Sequence, residues 1–289
     1  MPPGDRGTLH FAGAKMIGLP HPSAMTVARF RFYEELNDFL APEHHKREFE
    51  ARCARAATVK NAIEALGVPH TEVELILVNG RSVDFSYRML DGDRVSVYPV
   101  FEAFDIEPLL RVRPEPLRVT CFIADSHLGG LARLLRMAGF DTRYENGWSD
   151  EEIRRRAGEE GRIILTRDRA LLMCRTVTHA CYVHALEPHA QFQEIVERLQ
   201  LGSRARPFTL CLHCNLPLSA VEKAQIVDRL PDAIAATYER FWICAGCQRV
   251  YWQGSHWERM RDLLREMLGL DSASTSPGPG ASGPSGSRV

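Results

Sequence analysis

Val119-Thr-Cys-Phe-Ile-Ala-Asp125 and Arg162-Ile-Ile-Leu-Thr-Arg-Asp168 decide the fold. Each is a short apolar run, partly β-branched, that stops at or near an aspartate. Such runs read as buried strands. After Asp125, residues Leu128, Leu131, Leu134, Leu135 and Ala138 recur at helical spacing, and Gly139 stops the helix. A third strand spans Phe140 to Tyr144, and Ser149-Asp-Glu-Glu152 has the form of a capping box opening a second helix. Arg169 to Cys174 is a short helical piece, Ala180 to Ala185 a fourth strand and Gln191 to Leu201 a closing helix. Strands that alternate with helices make a parallel sheet, and sites in such sheets lie outside the carboxyl ends of the strands. The pattern predicts Asp125, Asp150 and Asp168 on one edge.

Downstream, Cys211-Leu-His-Cys214 and Cys244-Ala-Gly-Cys247 are two Cys-x-x-Cys pairs separated by 29 residues. Each pair wraps one side of a tetrahedral ion, so the spacing predicts a structural Zn²⁺ site with all four positions filled by protein. A helix from Ser219 to Leu230 is expected to fill the gap, and an amphipathic helix to run from Trp257 to Leu268. Tyr251, Trp252 and Trp257, with Arg249, Arg259 and Arg261, suit stacking on single-stranded bases; packing of a small domain on its neighbour explains the tryptophans equally well. Cys53, Cys121, Cys174 and Cys181 lie in apolar runs and read as small core residues.

Upstream, Ala28 to Tyr33 alternates as a strand should, and Glu48 to Cys53 is a second, weaker strand. Thr58 caps a helix from Val59 to Leu66, with Gly67 as its stop. Strands at Leu75 to Val78 and Arg94 to Phe101 follow, with Asn79-Gly80 and Asp91-Gly92-Asp93 as turns. This is a small α+β sheet with one helix laid across it. Three prolines between Ile106 and Pro116 mark a linker. The first 24 residues and the Ser/Gly/Pro tail are expected to be disordered.

Composition is that of an ordinary soluble chain: 45% apolar, 25% charged, net charge −1. No apolar run nears the ~18–20 residues that cross a bilayer, and no signal peptide opens the chain. A cytoplasmic location with reduced thiols follows. From Arg118 to Gln200 twelve arginines balance twelve acids, so any nucleic-acid affinity must arise from local patches or metal.

Two resemblances enter at these motifs. Val78-Asn79-Gly80 and Asp91-Gly-Asp-Arg-Val-Ser-Val-Tyr-Pro-Val resemble the ubiquitin-like β-grasp of small sulfur carriers. Those carriers end in a reactive Gly-Gly, whereas this chain reads Phe101-Glu-Ala-Phe-Asp and continues, which leaves docking or folding support. Phe122-Ile-Ala-Asp-Ser-His-Leu-Gly-Gly-Leu-Ala-Arg-Leu-Leu-Arg-Met-Ala-Gly-Phe-Asp, Ser149-Asp-Glu-Glu-Ile and Ile164-Leu-Thr-Arg-Asp-Arg-Ala-Leu resemble a PIN-like nuclease. More narrowly they resemble the RNase module at the C-terminus of the Mut-seven exonuclease. That module carries its own zinc ribbon and in bacterial relatives often follows a ubiquitin-like domain.

The expected architecture is α/β: a PIN-like parallel-sheet domain with an N-terminal α+β β-grasp domain and a C-terminal Cys₄ zinc ribbon. Its parts are a leader at 1–24, the ubiquitin-like domain at 25–105, a linker at 106–117, the nuclease at 118–203, the ribbon with its helix at 204–270 and a tail at 271–289. The resemblance implies metal-dependent RNA cleavage, with Mg²⁺ or Mn²⁺ held by Asp125, Asp150 and Asp168. Hard oxygen ligands on one edge suit those ions. Singly, each aspartate also has a plain reading: Asp125 as a helix cap, Asp150 as a partner of the helix dipole, Asp168 as a turn residue. PIN nucleases commonly add a fourth acid after the next strand, where this chain offers Glu187. Arg133, Arg167 and Arg169 are the candidates for holding substrate phosphates. A rival function is a non-catalytic adaptor that binds RNA or protein through the ribbon. RNA, and a protein docked on the β-grasp domain, are the expected partners, with no membrane.

Overall fold

The computed structural model describes residues 25–99 and 120–269. The leader, the linker, the tail and the stretch around Phe101 lie outside them. The N-terminal unit begins with β1 (Met25–Phe32), where Ala28, Phe30 and Phe32 are buried and the arginines between them are not. This is the two-residue alternation of a strand with one covered face. β2 (Phe49–Ala54) pairs antiparallel with β1. α1 (Val59–Ala65) is capped by Thr58, whose Oγ1 accepts from the Asn61 amide at 3.3 Å. β3 (Leu75–Val78), β4 (Arg81–Val83) and β5 (Arg94–Tyr98) complete a five-stranded sheet in the order β2-β1-β5-β3-β4, with β1 and β5 parallel. Asn79 and Gly80 both take positive φ, the conformation a two-residue hairpin requires. Buried Asp93 explains the second turn motif: its carboxylate accepts from the Leu90 amide, the Tyr87 hydroxyl and the Asn79 side chain.

The central unit is the parallel sheet. β6 (Phe122–Ala124), β7 (Thr142–Arg143), β8 (Ile163–Thr166) and β9 (Ala180–Tyr182) lie in the order β7-β6-β8-β9, all parallel. α2 (Gly129–Met137) and α5 (Pro188–Arg198) cover one face, with Phe122, Ala124, Ile163 and Leu165 packed beneath them. α3 (Asp150–Glu160) and α4 (Arg169–Leu172) cover the other, over Ile123 and Ile164. Alternate residues thus feed opposite cores, so β6 is apolar throughout and β8 is apolar up to Thr166. Gly139 ends α2 with φ +90°, and a Cβ there would sit 2.0 Å from the Arg206 carbonyl.

The C-terminal unit is a three-stranded antiparallel sheet of β10 (Leu218–Val221), β11 (Phe241–Cys244) and β12 (Val250–Trp252), in that order. The expected helix from Ser219 to Leu230 is not there. Leu218–Val221 pairs with β11 instead, two short 3-10 turns follow, and the helix is the later α6 (Asp232–Thr237). Pro231 forces the preceding Leu230 out of helical geometry (φ −94°, ψ 141°) and restarts the chain at α6. α7 (Ser255–Met267) returns to the central unit, where Leu264 and Leu268 join the core beneath α2 and α5. No described helix is long and apolar enough to cross a membrane.

The N-terminal unit docks on β9 and the helices beside it. Fully buried Glu72 takes a hydrogen bond from the Tyr182 amide at 2.9 Å and an ion pair from buried Arg198. His70 bonds the Val177 carbonyl at 3.0 Å. Breaking a buried pair from one side strands the other charge, at about 3–5 kcal/mol. Glu72→Ala is therefore expected to lower the melting temperature by about 6 °C or more. A thermal shift below about 2 °C in the full chain would mean the pair contributes little to this junction.

Candidate active site and cysteine cluster

The connections from β6 and from β8 run in opposite directions across the sheet, so the crevice at their carboxyl ends is the topological switch point where ligands of open α/β sheets bind. Asp125 follows β6 and Asp168 follows β8 by two residues. One buried hydroxyl ties them together. Thr166 Oγ1 donates to Asp125 Oδ2 at 2.8 Å and accepts from the Asp168 amide at 2.9 Å. Asp125 is buried, and its Oδ1 accepts from the Ser126 amide at 2.6 Å. Asp168 Oδ1 accepts from the Ala170 amide at 2.7 Å, capping α4. Both aspartates therefore do serve as caps, and both keep lone pairs for a further ligand, since a carboxylate offers about four acceptor sites. The edge is thus a pair of carboxylates held in fixed orientation by neutral donors.

Asp150 is exposed in the first turn of α3, the helix after β7. Ser149 caps that helix by accepting from the Glu152 amide at 3.3 Å, but the Glu152 carboxylate turns to Arg155 and Arg156 instead of reaching back. Only half of the expected capping box forms. The three aspartates share the carboxyl edge of the sheet without closing into a cage. Among the described residues, the acid, thiol or imidazole cluster with ligand atoms all within 4.8 Å of one another is the cysteine quartet.

That quartet is built by two loops of matching backbone geometry. In the first, the Cys211 amide bonds the Leu216 carbonyl, the Asn215 amide bonds the Cys211 carbonyl, and Asn215 has φ +64°. In the second, the Cys244 amide bonds the Arg249 carbonyl, the Gln248 amide bonds the Cys244 carbonyl, and Gln248 has φ +58°. The sulfurs of Cys211, Cys214, Cys244 and Cys247 make contacts of 3.2 to 3.6 Å. A tetrahedral zinc with Zn–S near 2.3 Å would set them roughly 3.8 Å apart. Burial alone would raise the Cys211 thiol, but the Tyr251 hydroxyl and the Cys214 and His213 amides hold it down at about 6. Cys214 is pushed up to about 12 by burial and by sharing its proton with Cys244 and Cys211. Four thiols this close cannot all ionise without a cation among them, so donor set and spacing fit a metal such as zinc.

Comparison with known families bears on both sites. Residues 120–264, half of the chain, match the family described as Mut7-C RNAse domain, and residues 25–105 match the family described as Mut7-C ubiquitin. The chain belongs to the Mut7-C RNase family. No curated protein matches it. Among solved structures, the Haloferax volcanii HVO 2177 protein in solution is 21% identical, covering 32% of this chain and 100% of its own, with a TM-score of 0.23. A likeness that slight carries no argument.

The remaining Mut7-C residues fall into place around the edge. Arg167 donates to the His184 and Ala185 carbonyls, and Arg169 to the Asp38 and Phe39 carbonyls of the ubiquitin-like unit, with its guanidinium over the Phe39 ring. Both guanidiniums thus join segments of the protein, and each keeps further N–H donors beyond these contacts. Arg133 stays exposed on α2. Arg136, a turn later, is buried and donates to the Thr142 carbonyl and to the Leu212 and His213 carbonyls of the first cysteine loop. Glu187 is exposed at the start of α5, whereas Glu194 reaches the loop after β9 and accepts from the His184 and Ala185 amides. Sequence reading missed Glu194 because its partner is a loop ten residues away. Trp257 packs on Phe208 at 5.1 Å and Trp252 joins the small core around Ile226 and Phe241, so packing accounts for both.

Proposed function

We propose that this Mut7-C protein hydrolyses RNA phosphodiester bonds at the carboxyl edge of its parallel sheet. Asp125, Asp150 and Asp168 would hold Mg²⁺ or Mn²⁺ there. The observation that carries the reading is the Asp125–Thr166–Asp168 linkage at the switch point. A buried threonine hydroxyl that orients two adjacent acidic segments is more than two helix caps need. When bound, the cation would supply positive charge for the phosphodiester oxygens and lower the pKa of a nearby water. Asp125 would be the fixed ligand, its carboxylate set by Ser126 and Thr166 before any ion arrives. Asp168 and exposed Asp150 would adjust around it, drawing the third carboxylate inward from the first turn of α3. Arg133, on the helix that starts beside Asp125, would meet substrate phosphates, with Arg167 and Arg169 beside Asp168 to add to it.

In this reading Zn²⁺ occupies Cys211, Cys214, Cys244 and Cys247 and is structural, because protein sulfur fills every position. The protein works in the cytoplasm, where thiols stay reduced. The ubiquitin-like unit braces β9 in cis and leaves its outer strands for a protein partner. The open spacing of the three aspartates favours the second reading, an adaptor whose acidic edge does no chemistry. Calorimetry separates the two. Mn²⁺ titrated into zinc-loaded protein is expected to bind saturably, and Asp168→Asn to weaken that binding at least about tenfold. Mn²⁺ binding that is identical in the variant, or absent even with a non-cleavable RNA present, would move the assignment to the adaptor.

A further inference from the structure

A groove of about 750 Å³ runs between α2, the first cysteine loop and α7. Its floor is apolar: Leu134, Met137, Leu212, Met260 and Leu263. Its rim carries Arg133, Arg249, Arg259, His189, His213 and His256, all six exposed. Among the described residues, no aspartate or glutamate lines it. Composition does not account for this one-sign rim, because the chain as a whole has net charge −1. On α7, Asp262 is turned to its neighbour Arg261 at 2.7 Å.

The groove also has a direction. Pro188, next to His189, lies so close over Gly130 that a Cβ there would meet its ring at 2.6 Å. Gly130 opens α2 directly behind the Asp125–Leu128 turn, so this end adjoins the acidic edge. From there the rim follows α2 past Arg133 to Met137, about 10 Å along the helix axis. The far wall is fixed before any ligand arrives. Arg136 clamps the Leu212 and His213 carbonyls, and the Tyr251 hydroxyl lies 3.1 Å from Cys211 Sγ.

We infer that this groove is the track along which single-stranded RNA reaches the acidic edge, with phosphates on the arginine rim and bases on the apolar floor. The assignment rests on the ribonuclease reading above and adds a substrate class and a path to it. Basic residues beside an apolar, partly aromatic surface are the combination that holds unpaired strands, since every base has an apolar face. A duplex hides those faces and would use the rim alone. Arg133 belongs both to the rim and to the helix that begins at the acidic edge, which makes the two sites continuous.

The test measures binding apart from cleavage. Zinc-loaded full-length protein carrying Asp125→Asn is titrated, without Mg²⁺ or Mn²⁺, into a labelled oligouridine of about 12 nucleotides and followed by anisotropy. Three arginines on a single strand predict a log–log salt slope of about −2, and removing them should cost about 100-fold in affinity near 0.1 M salt. Arg133→Ala, Arg249→Ala and Arg259→Ala together are expected to do this and to flatten the slope, while the corresponding lysine triple stays within about threefold. Zinc content and circular dichroism report whether the alanine triple folds. If it does not, the exposed single variants Arg133→Glu and Arg259→Glu replace it, each expected to weaken binding about tenfold. Unchanged affinity in the variants overturns the proposal. So does a duplex that binds tighter than the single strand, or a polyglutamate of equal length that displaces the RNA at equal concentration, which would mark an acidic-protein site. Groove-dependent binding in a protein that never cleaves would leave the track standing and remove only the nuclease reading.

Discussion

Asp125→Asn is expected to reduce Mn²⁺-stimulated RNA cleavage at least about a thousandfold, because it removes the best-fixed charge from a site whose cation contributes several kcal/mol. The substitution is gentle on the fold. The amide oxygen can still accept from Thr166 or from the Ser126 amide, which in the native site serve different carboxylate oxygens. One hydrogen bond of about 1 kcal/mol is lost, and a melting temperature within about 4 °C of wild type follows for a unit of this size. The measurement is initial cleavage rate against Mn²⁺ concentration, with thermal melting on the same samples. Wild-type rates in a folded Asp125→Asn protein would remove the acidic edge from the reaction. Cleavage that persists in a chelator would do the same.

Zinc removal is the second large effect. Structural zinc in small modules accounts for about 10–16 kcal/mol of folding free energy, and here the ribbon is not a separate module. α7 carries Leu264 and Leu268 into the core of the parallel sheet, and Arg136 reaches from α2 to the first cysteine loop. Stripping the ion, or Cys244→Ser, is therefore expected to lower the melting temperature of the sheet unit by about 10 °C or more. The loss should be a joint one, with ribbon and sheet melting together. Scanning fluorimetry beside metal quantitation on denatured protein checks it. A folded preparation that contains no metal and melts as the zinc-loaded form does would show that the four thiols need no ion.

The parallel sheet was legible because its two central strands, β6 and β8, are short, mostly apolar runs that stop at or near a charge, a pattern that helices seldom share. The cysteine pairs were legible from spacing alone. The stretch from Ser219 to Leu230 was misread because the helix was inferred from the length of the gap between the cysteine pairs. Pairing with β11 and the proline at 231 fill that gap differently. The joining role of Arg167 and Arg169 was hidden for a different reason. Their partners are carbonyls at 184–185 and at 38–39, and no local pattern announces a contact over some 130 residues. The groove is the extreme case. Its basic residues come from positions 133, 189, 213, 249, 256 and 259, and only folding brings them to one rim.

A parallel sheet of four strands has two outer strands, and here those are β7 and β9. Each turns a backbone amide away from the sheet, and each amide finds a side-chain oxygen from a neighbouring unit. On β7 the Thr142 amide meets Asn215 Oδ1 at 3.0 Å, and on β9 the Tyr182 amide meets Glu72 Oε1 at 2.9 Å. An uncovered outer strand is a template for pairing with another chain. The ribbon and the ubiquitin-like unit thus act as a pair of bookends against aggregation, whatever else they bind. Asn215 shows how closely this is built in. It takes the left-handed turn that shapes a cysteine loop, a place where glycine would be easiest, and spends its side chain sealing the sheet.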